Sequence, residues 1–197
     1  MDLSIYFQPV NLNDLDYDNL NENSLGKNME IFSSADNFPD YTSVELVIIG
    51  VLDDRGSIGN KGCAKAADSV RKYLYKLFKH RSRINIADLG NILHGDSFTD
   101  TYFAMSSVIQ ELVGRQVVPI IIGGGHDLTY ANYLAYEKLE QVVNIATVDA
   151  HLDLGKEDDE LNDGLSHICK GRAAADAVVD QACLIQVGAM EVPKPAP

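Results

Sequence analysis

The stretch from Val117 to Gly155, VVPIIIGGGHDLTYANYLAYEKLEQVVNIATVDAHLDLG, limits the folds open to this chain more than any other. Its two apolar runs, Val117–Ile122 and Val142–Val148, are short and rich in Val and Ile, as strands buried on both faces of a parallel sheet are. Leu128–Leu139 has the length of a connecting helix, which parallel neighbours require. Each strand ends in a polar cluster: Gly123-Gly124-Gly125-His126-Asp127 after the first, Asp149-Ala150-His151-Leu152-Asp153 after the second. Open α/β sheets bind ligands at the carboxyl ends of their strands. The pattern predicts an α/β fold: a three-layer α/β/α sandwich on a mainly parallel sheet of at least five strands.

The two clusters carry the donor types of a divalent-metal site. Imidazole and carboxylate together suit an ion such as manganese, and a bridging carboxylate can hold a second ion. In Asp149, His151 and Asp153 the side chains stand two residues apart, so extended backbone points all three the same way. A single His after a strand is ordinarily a hydrogen-bonded structural residue. A D-x-H-x-D run facing a second His across a Gly-rich turn is a sharper signal.

These motifs resemble the signatures of the ureohydrolase family (arginase, agmatinase, formimidoylglutamase), a Gly-Gly-x-His turn after one strand and Asp-Ala-His-x-Asp after the next. The resemblance implies an arginase-like fold and a pair of manganese ions on His126, Asp149, His151 and Asp153. Gly at position 125 followed by Asp127 leans toward formimidoylglutamase. The implied chemistry is hydrolysis of a C–N bond in a linear amidine or guanidine, a small-molecule substrate. Asp153 or Asp127 would orient the nucleophile, and His167 would protonate the departing amine, a task suited to imidazole near neutral pH. The Gly-rich loop after the first strand resembles one wall of the family's active-site mouth, making Arg55, Asn60 and Lys61 the substrate-binding candidates; as plain residues they read equally as an exposed loop. Ala66-Ala67-Asp68-Ser69-Val70-Arg71 resembles the family's Gly-Pro-x-x-Ile-Arg helix start, with Ala replacing Gly and Pro.

The resemblance spans Val44 to Met190. The family carries a later motif with two Asp residues that completes the metal site, and this sequence has none, so the expectation is weaker metal affinity and little or no turnover. Two readings follow: a manganese-dependent hydrolase, or a non-catalytic fragment or divergent homologue with a vestigial metal site. A flavodoxin-like nucleotide binder would leave D-x-H-x-D unexplained. The family's last two strands lie between its third and fourth, so their absence predicts a gap beside the ligands. Direct pairing of the flanking strands, rearrangement, or a homo-oligomer would close it.

The rest of the chain sets boundaries. Residues 1–43 form an acidic, Asn-rich segment without helical or strand period, expected to be an arm anchored by Ile5, Tyr6 and Phe7 on the domain at 44–197. Strands are expected at Val44–Val51, Ile84–Leu89 and Cys183–Gly188, with helices at Ala64–Lys79 and Ser97–Arg115. Val70, Leu74, Leu77 and Phe78 mark the expected buried face of the first helix. His94 and Asp96, in a turn-rich Gly90–Asp96 connection, are expected at the surface. A net charge of −13 with no basic stripe argues against nucleic acid. No apolar run reaches the ~18 residues of a membrane span. Three separated cysteines without a C-x-x-C pair suit a cytoplasmic protein in which they are small apolar residues.

Overall fold

The computed structural model describes residues 1–57, 61–79, 84–140, 143–148 and 182–187. The strands are β1 (Phe7–Gln8), β2 (Glu30–Ile31), β3 (Leu46–Val51), β4 (Ile86–Ile92), β5 (Val118–Ile122), β6 (Val143–Val148) and β7 (Ala182–Val187). The helices are α1 (Ala66–Leu74), α2 (Phe98–Gly114) and α3 (Leu128–Lys138). One sheet has the order β1-β4-β3-β5, with β2 also on β4. Only β1 runs antiparallel to its neighbour in that sheet. The parallel pair β6-β7 forms a second sheet. Among the described residues β5 and β6 are not paired.

The period of two in a strand builds the layers. Val47, Ile49 and Val51 of β3 and Ala87 and Leu89 of β4 share a core with Met105, Val108, Ile109 and Leu112 of α2 and Leu128, Ala131 and Ala135 of α3. The opposite face meets α1, where Ala67 lies over Gly50 and Arg71 reaches Asp88 and Asn91. Helices therefore cover both faces of a mostly parallel sheet, as the sandwich reading requires.

β4 runs past the expected Leu89 because a bulge carries it through Gly90. The register with β3 slips between the Ile48–Asp88 and Gly50–Asn91 pairs, and Gly90 takes the left-handed φ of +84°. The extra residue lets Asp88 and Asn91, three apart, serve the same partner on the α1 face. The turn expected from Gly90 begins only after Ile92.

α1 differs most from expectation. It is shorter than Ala64–Lys79, entered through a 3-10 turn at Cys63–Lys65, and the face it buries is Ala67, Arg71 and the following Tyr75. Val70, Leu77 and Phe78 point outward at 42%, 57% and 73% exposure. The small Ala67 lets the helix approach Gly50, and a buried ion pair holds it there. Arg71 donates to both Asp88 oxygens at 2.8 Å, to the Gly90 carbonyl at 2.9 Å and to Asn91 Oδ1, while Tyr75 donates to Asp88 at 2.9 Å. The degraded Ala66–Arg71 motif thus keeps the residue that anchors the helix.

Residues 1–43 fold as 3-10 turns around the two short strands. Leu3, Phe7, Phe32 and Tyr41 enter the main core, and Val10, Leu15, Leu20, Ile31 and Tyr75 form a second cluster. Phe7 is buried, whereas Ile5 is exposed. Among the described residues no helix is long and apolar enough to cross a membrane.

Candidate functional site

The carboxyl ends of β3 and β5 form a rim. β3 delivers the loop that starts at Leu52, and β5 delivers the turn Gly123–Asp127. Backbone bonds lock the two together: the Gly124 N–H donates to the Cys63 carbonyl at 3.3 Å and the Gly125 N–H to the Asp53 carbonyl at 3.0 Å. Gly124 sits at φ +83°, and a Cβ there would lie 2.8 Å from the Asp53 carbonyl oxygen. The glycines thus allow a close crossing of two backbones.

His126 lies in this turn and is exposed at the rim. Asp127, next in the chain and at the start of α3, is buried at 3% exposure. Its Oδ2 accepts a 2.6 Å hydrogen bond from the Tyr102 hydroxyl of α2. Its Oδ1 is buried and has no hydrogen-bond partner among the described residues. Burial, and then the adjoining Asp127 carboxylate, push the Tyr102 hydroxyl pKa well up, so it stays a donor. The positive end of α3 offsets part of the cost of burying the Asp127 charge.

The neighbouring residue of α2 serves the other loop. Thr101 Oγ1 donates to Asp53 Oδ2 at 2.8 Å. Asp53 also accepts from the Arg55 backbone N–H at 3.0 Å and from the Arg55 guanidinium at 2.7 Å. Burial alone would raise the Asp53 pKa, but the Arg55 and Thr101 hydrogen bonds together outweigh it and hold the carboxyl at about 2. Arg55 continues to the carbonyls of Asp96 at 2.9 Å and Ser97 at 3.1 Å. Ser97 caps α2 through a reciprocal capping box with Asp100.

The expected site residues therefore separate. His126 stands at the rim, while Asp127 is buried beneath it. The Arg55 guanidinium, 37% exposed, is tied to Asp53 and to the α2 N-terminus. The Lys61 ammonium donates to the carbonyls of Asp54 at 2.6 Å and Arg55 at 3.2 Å, closing its own loop. Asn60, Asp149, His151, Asp153 and His167 lie outside the described residues. β6 ends at Val148, immediately before Asp149. Among the described residues no three His, Cys, Asp or Glu side chains group closely enough to hold a metal. They supply one donor, His126, and the donor chemistry of D-A-H-L-D fits the same class of ion. His94 and Asp96 are exposed, and Cys63 is a half-buried free thiol. Asp53, Thr101 and Tyr102 were not foreseen. The Asp53-Asp54-Arg55 charge cluster after a strand was the available signal for the first, while the other two sit unmarked in an amphipathic helix.

A model of the Arginase family matches residues 44–195. The chain is 30% identical over 146 residues to a formimidoylglutamase from Streptococcus gordonii, covering 70% of this chain and 44% of that protein. It is 30% identical over 117 residues to one from Staphylococcus carnosus, covering 56% and 38%. The chain thus spans less than half the length of these curated relatives. A Trypanosoma cruzi formiminoglutamase solved with manganese superposes at TM-score 0.61 and 19% identity, covering 72% of this chain and 52% of that one. A hypothetical agmatinase from Burkholderia thailandensis superposes at 0.62 and 21%, covering 81% and 54%.

Proposed function

The chain belongs to the arginase family, and from that membership we propose that it carries the metal-binding core of a manganese-dependent hydrolase of linear amidines, of the formimidoylglutamase type. The observation that carries the reading is His126, exposed at the carboxyl end of β5 on a turn fixed by its glycines, with β6 leading directly into D-A-H-L-D. The formimidoylglutamase relatives support the substrate class.

In this reading His126, Asp149, His151 and Asp153 hold the ion. When bound, a divalent cation supplies Lewis acidity that makes water a nucleophile near neutral pH. Asp153 would orient the attacking water toward the planar C=N carbon, and His167 would give a proton to the departing amine. Arg55, Asn60 and Lys61, in the loop that follows β3, would meet the distal carboxylate of the substrate. Asp127 is too deeply buried to take the water-orienting role.

The test is release of formamide from N-formimidoyl-L-glutamate by the manganese-loaded chain, with His151→Ala as control. Saturable release lost in the variant supports the proposal. Manganese binding without release points to the second reading, a non-catalytic module that retains a metal site. Neither binding nor release refutes both.

A further inference from the structure

The contacts of α2 at the rim are distributed in a way that rigid packing alone does not require. Two consecutive residues, Thr101 and Tyr102, each donate a side-chain hydroxyl to a different buried carboxylate: Thr101 to Asp53 at 2.8 Å and Tyr102 to Asp127 at 2.6 Å. Those carboxylates belong to the two loops that cross at Gly124 and Gly125. Asp127 also fills the space that side chains at two glycines would need. A Cβ on Gly56 would lie 2.1 Å from Asp127 Oδ2, and one on Gly125 would lie 2.0 Å from Oδ1. The carboxylate is a wedge between the loops, and the Tyr102 hydroxyl is its one hydrogen-bond partner given by the described residues, Oδ1 having none.

A buried carboxylate with one oxygen unpaired costs stability. It stands next in sequence to the histidine at the rim and packs against Gly125 of the same turn. We infer that Tyr102, through Asp127, is a positioning residue for His126, so that metal affinity depends on a hydroxyl that never meets the metal. The inference rests on His126 being a metal ligand. Partners that orient a ligand from behind typically change metal affinity by ~10–100-fold when removed.

Tyr102→Phe isolates the hydroxyl, because the ring keeps its edge contacts with Phe98 at 5.6 Å and Tyr130 at 6.0 Å. Manganese is titrated calorimetrically into the full chain and the variants, with far-ultraviolet circular dichroism confirming the fold of each. Tyr102→Phe is expected to raise the manganese Kd about tenfold, at the lower end of that range. Asp127→Asn is expected to raise it as much, and the double variant to do no more than Asp127→Asn alone, since both act through one contact. Tyr41→Phe, which removes a hydroxyl bonded to the Met1 carbonyl at 2.7 Å, should leave the Kd unchanged. A Tyr102→Phe Kd within twofold of wild type, or an equal loss in Tyr41→Phe, overturns the inference and leaves the metal reading standing. If Tyr102→Phe does not fold, Asp127→Asn decides by the same criterion. A wild-type chain that binds no manganese overturns the metal reading, and this inference with it.

Discussion

Arg71→Met tests how α1 is held against the sheet. Arg71 and Asp88 both have side chains of 0% exposure. The substitution keeps much of the side chain's length but removes the guanidinium from both Asp88 oxygens, the Gly90 carbonyl, Asn91 and Asp68. Asp88 then stays buried with only the Tyr75 hydroxyl and the Gly90 N–H, both at 2.9 Å. Breaking one side of a buried pair costs ~3–5 kcal/mol, because the remaining charge is uncompensated. At ~2–4 °C per kcal/mol for a chain of this size, the midpoint should fall by about 10 °C. Urea unfolding followed by circular dichroism measures the loss. The exposed pair Arg115–Glu111 at 2.7 Å is the internal comparison, with Arg115 45% exposed. Arg115→Met should cost no more than about 0.5 kcal/mol. Adding Asp88→Leu to Arg71→Met should recover stability relative to the single variant, since no charge is left behind. A loss under ~1 kcal/mol in Arg71→Met, or a double variant weaker than the single, refutes the reasoning.

Other expectations follow from the rim. Asp53 is held at about 2 in the folded chain against 3.8 ordinarily, so its contribution is complete above pH ~4 and is lost as pH falls from there toward 2. The size is about 1–2 kcal/mol after allowing for solvent screening of the half-exposed Arg55, and urea unfolding of wild type and Asp53→Asn between pH 6 and 2 should show a shallower acid limb in the variant. Ser97→Ala removes the α2 cap and should cost about 1 kcal/mol by the same assay. Gly124→Ala forces a Cβ against the Asp53 carbonyl at positive φ and should cost at least ~2 kcal/mol, read as a lower urea midpoint. Gly114→Ala, where a Cβ meets nothing within 4 Å, should be neutral or mildly stabilising.

The strand-helix-strand centre was legible because its signals are local. Val118–Ile122 and Leu128–Lys138 fall within a residue or so of the apolar runs that announced them. α1 was not, because hydrophobicity marks a buried face only where burial is apolar. Here a bidentate ion pair and a close Ala67–Gly50 approach win the sheet side and turn Val70, Leu77 and Phe78 outward. The Gly90 bulge hid the end of β4 for a related reason, since a glycine read as a turn was the residue that let the strand continue. In residues 1–43, 3-10 turns supply no regular period, so the burial of Leu3, Leu15 and Leu20 could not be read from spacing. At the rim, His126 was visible from its motif. Tyr102 was not, because its bond to Asp127 joins residues 25 apart through one hydroxyl in a helix.

The most direct test of the metal-binding reading is manganese binding at equilibrium, followed by the loss of the free-ion electron paramagnetic resonance signal, in wild type, His126→Ala and His151→Ala. Saturable uptake by wild type, weakened at least tenfold in each variant, is the predicted result. Uptake that neither substitution alters, or none at all, would contradict it.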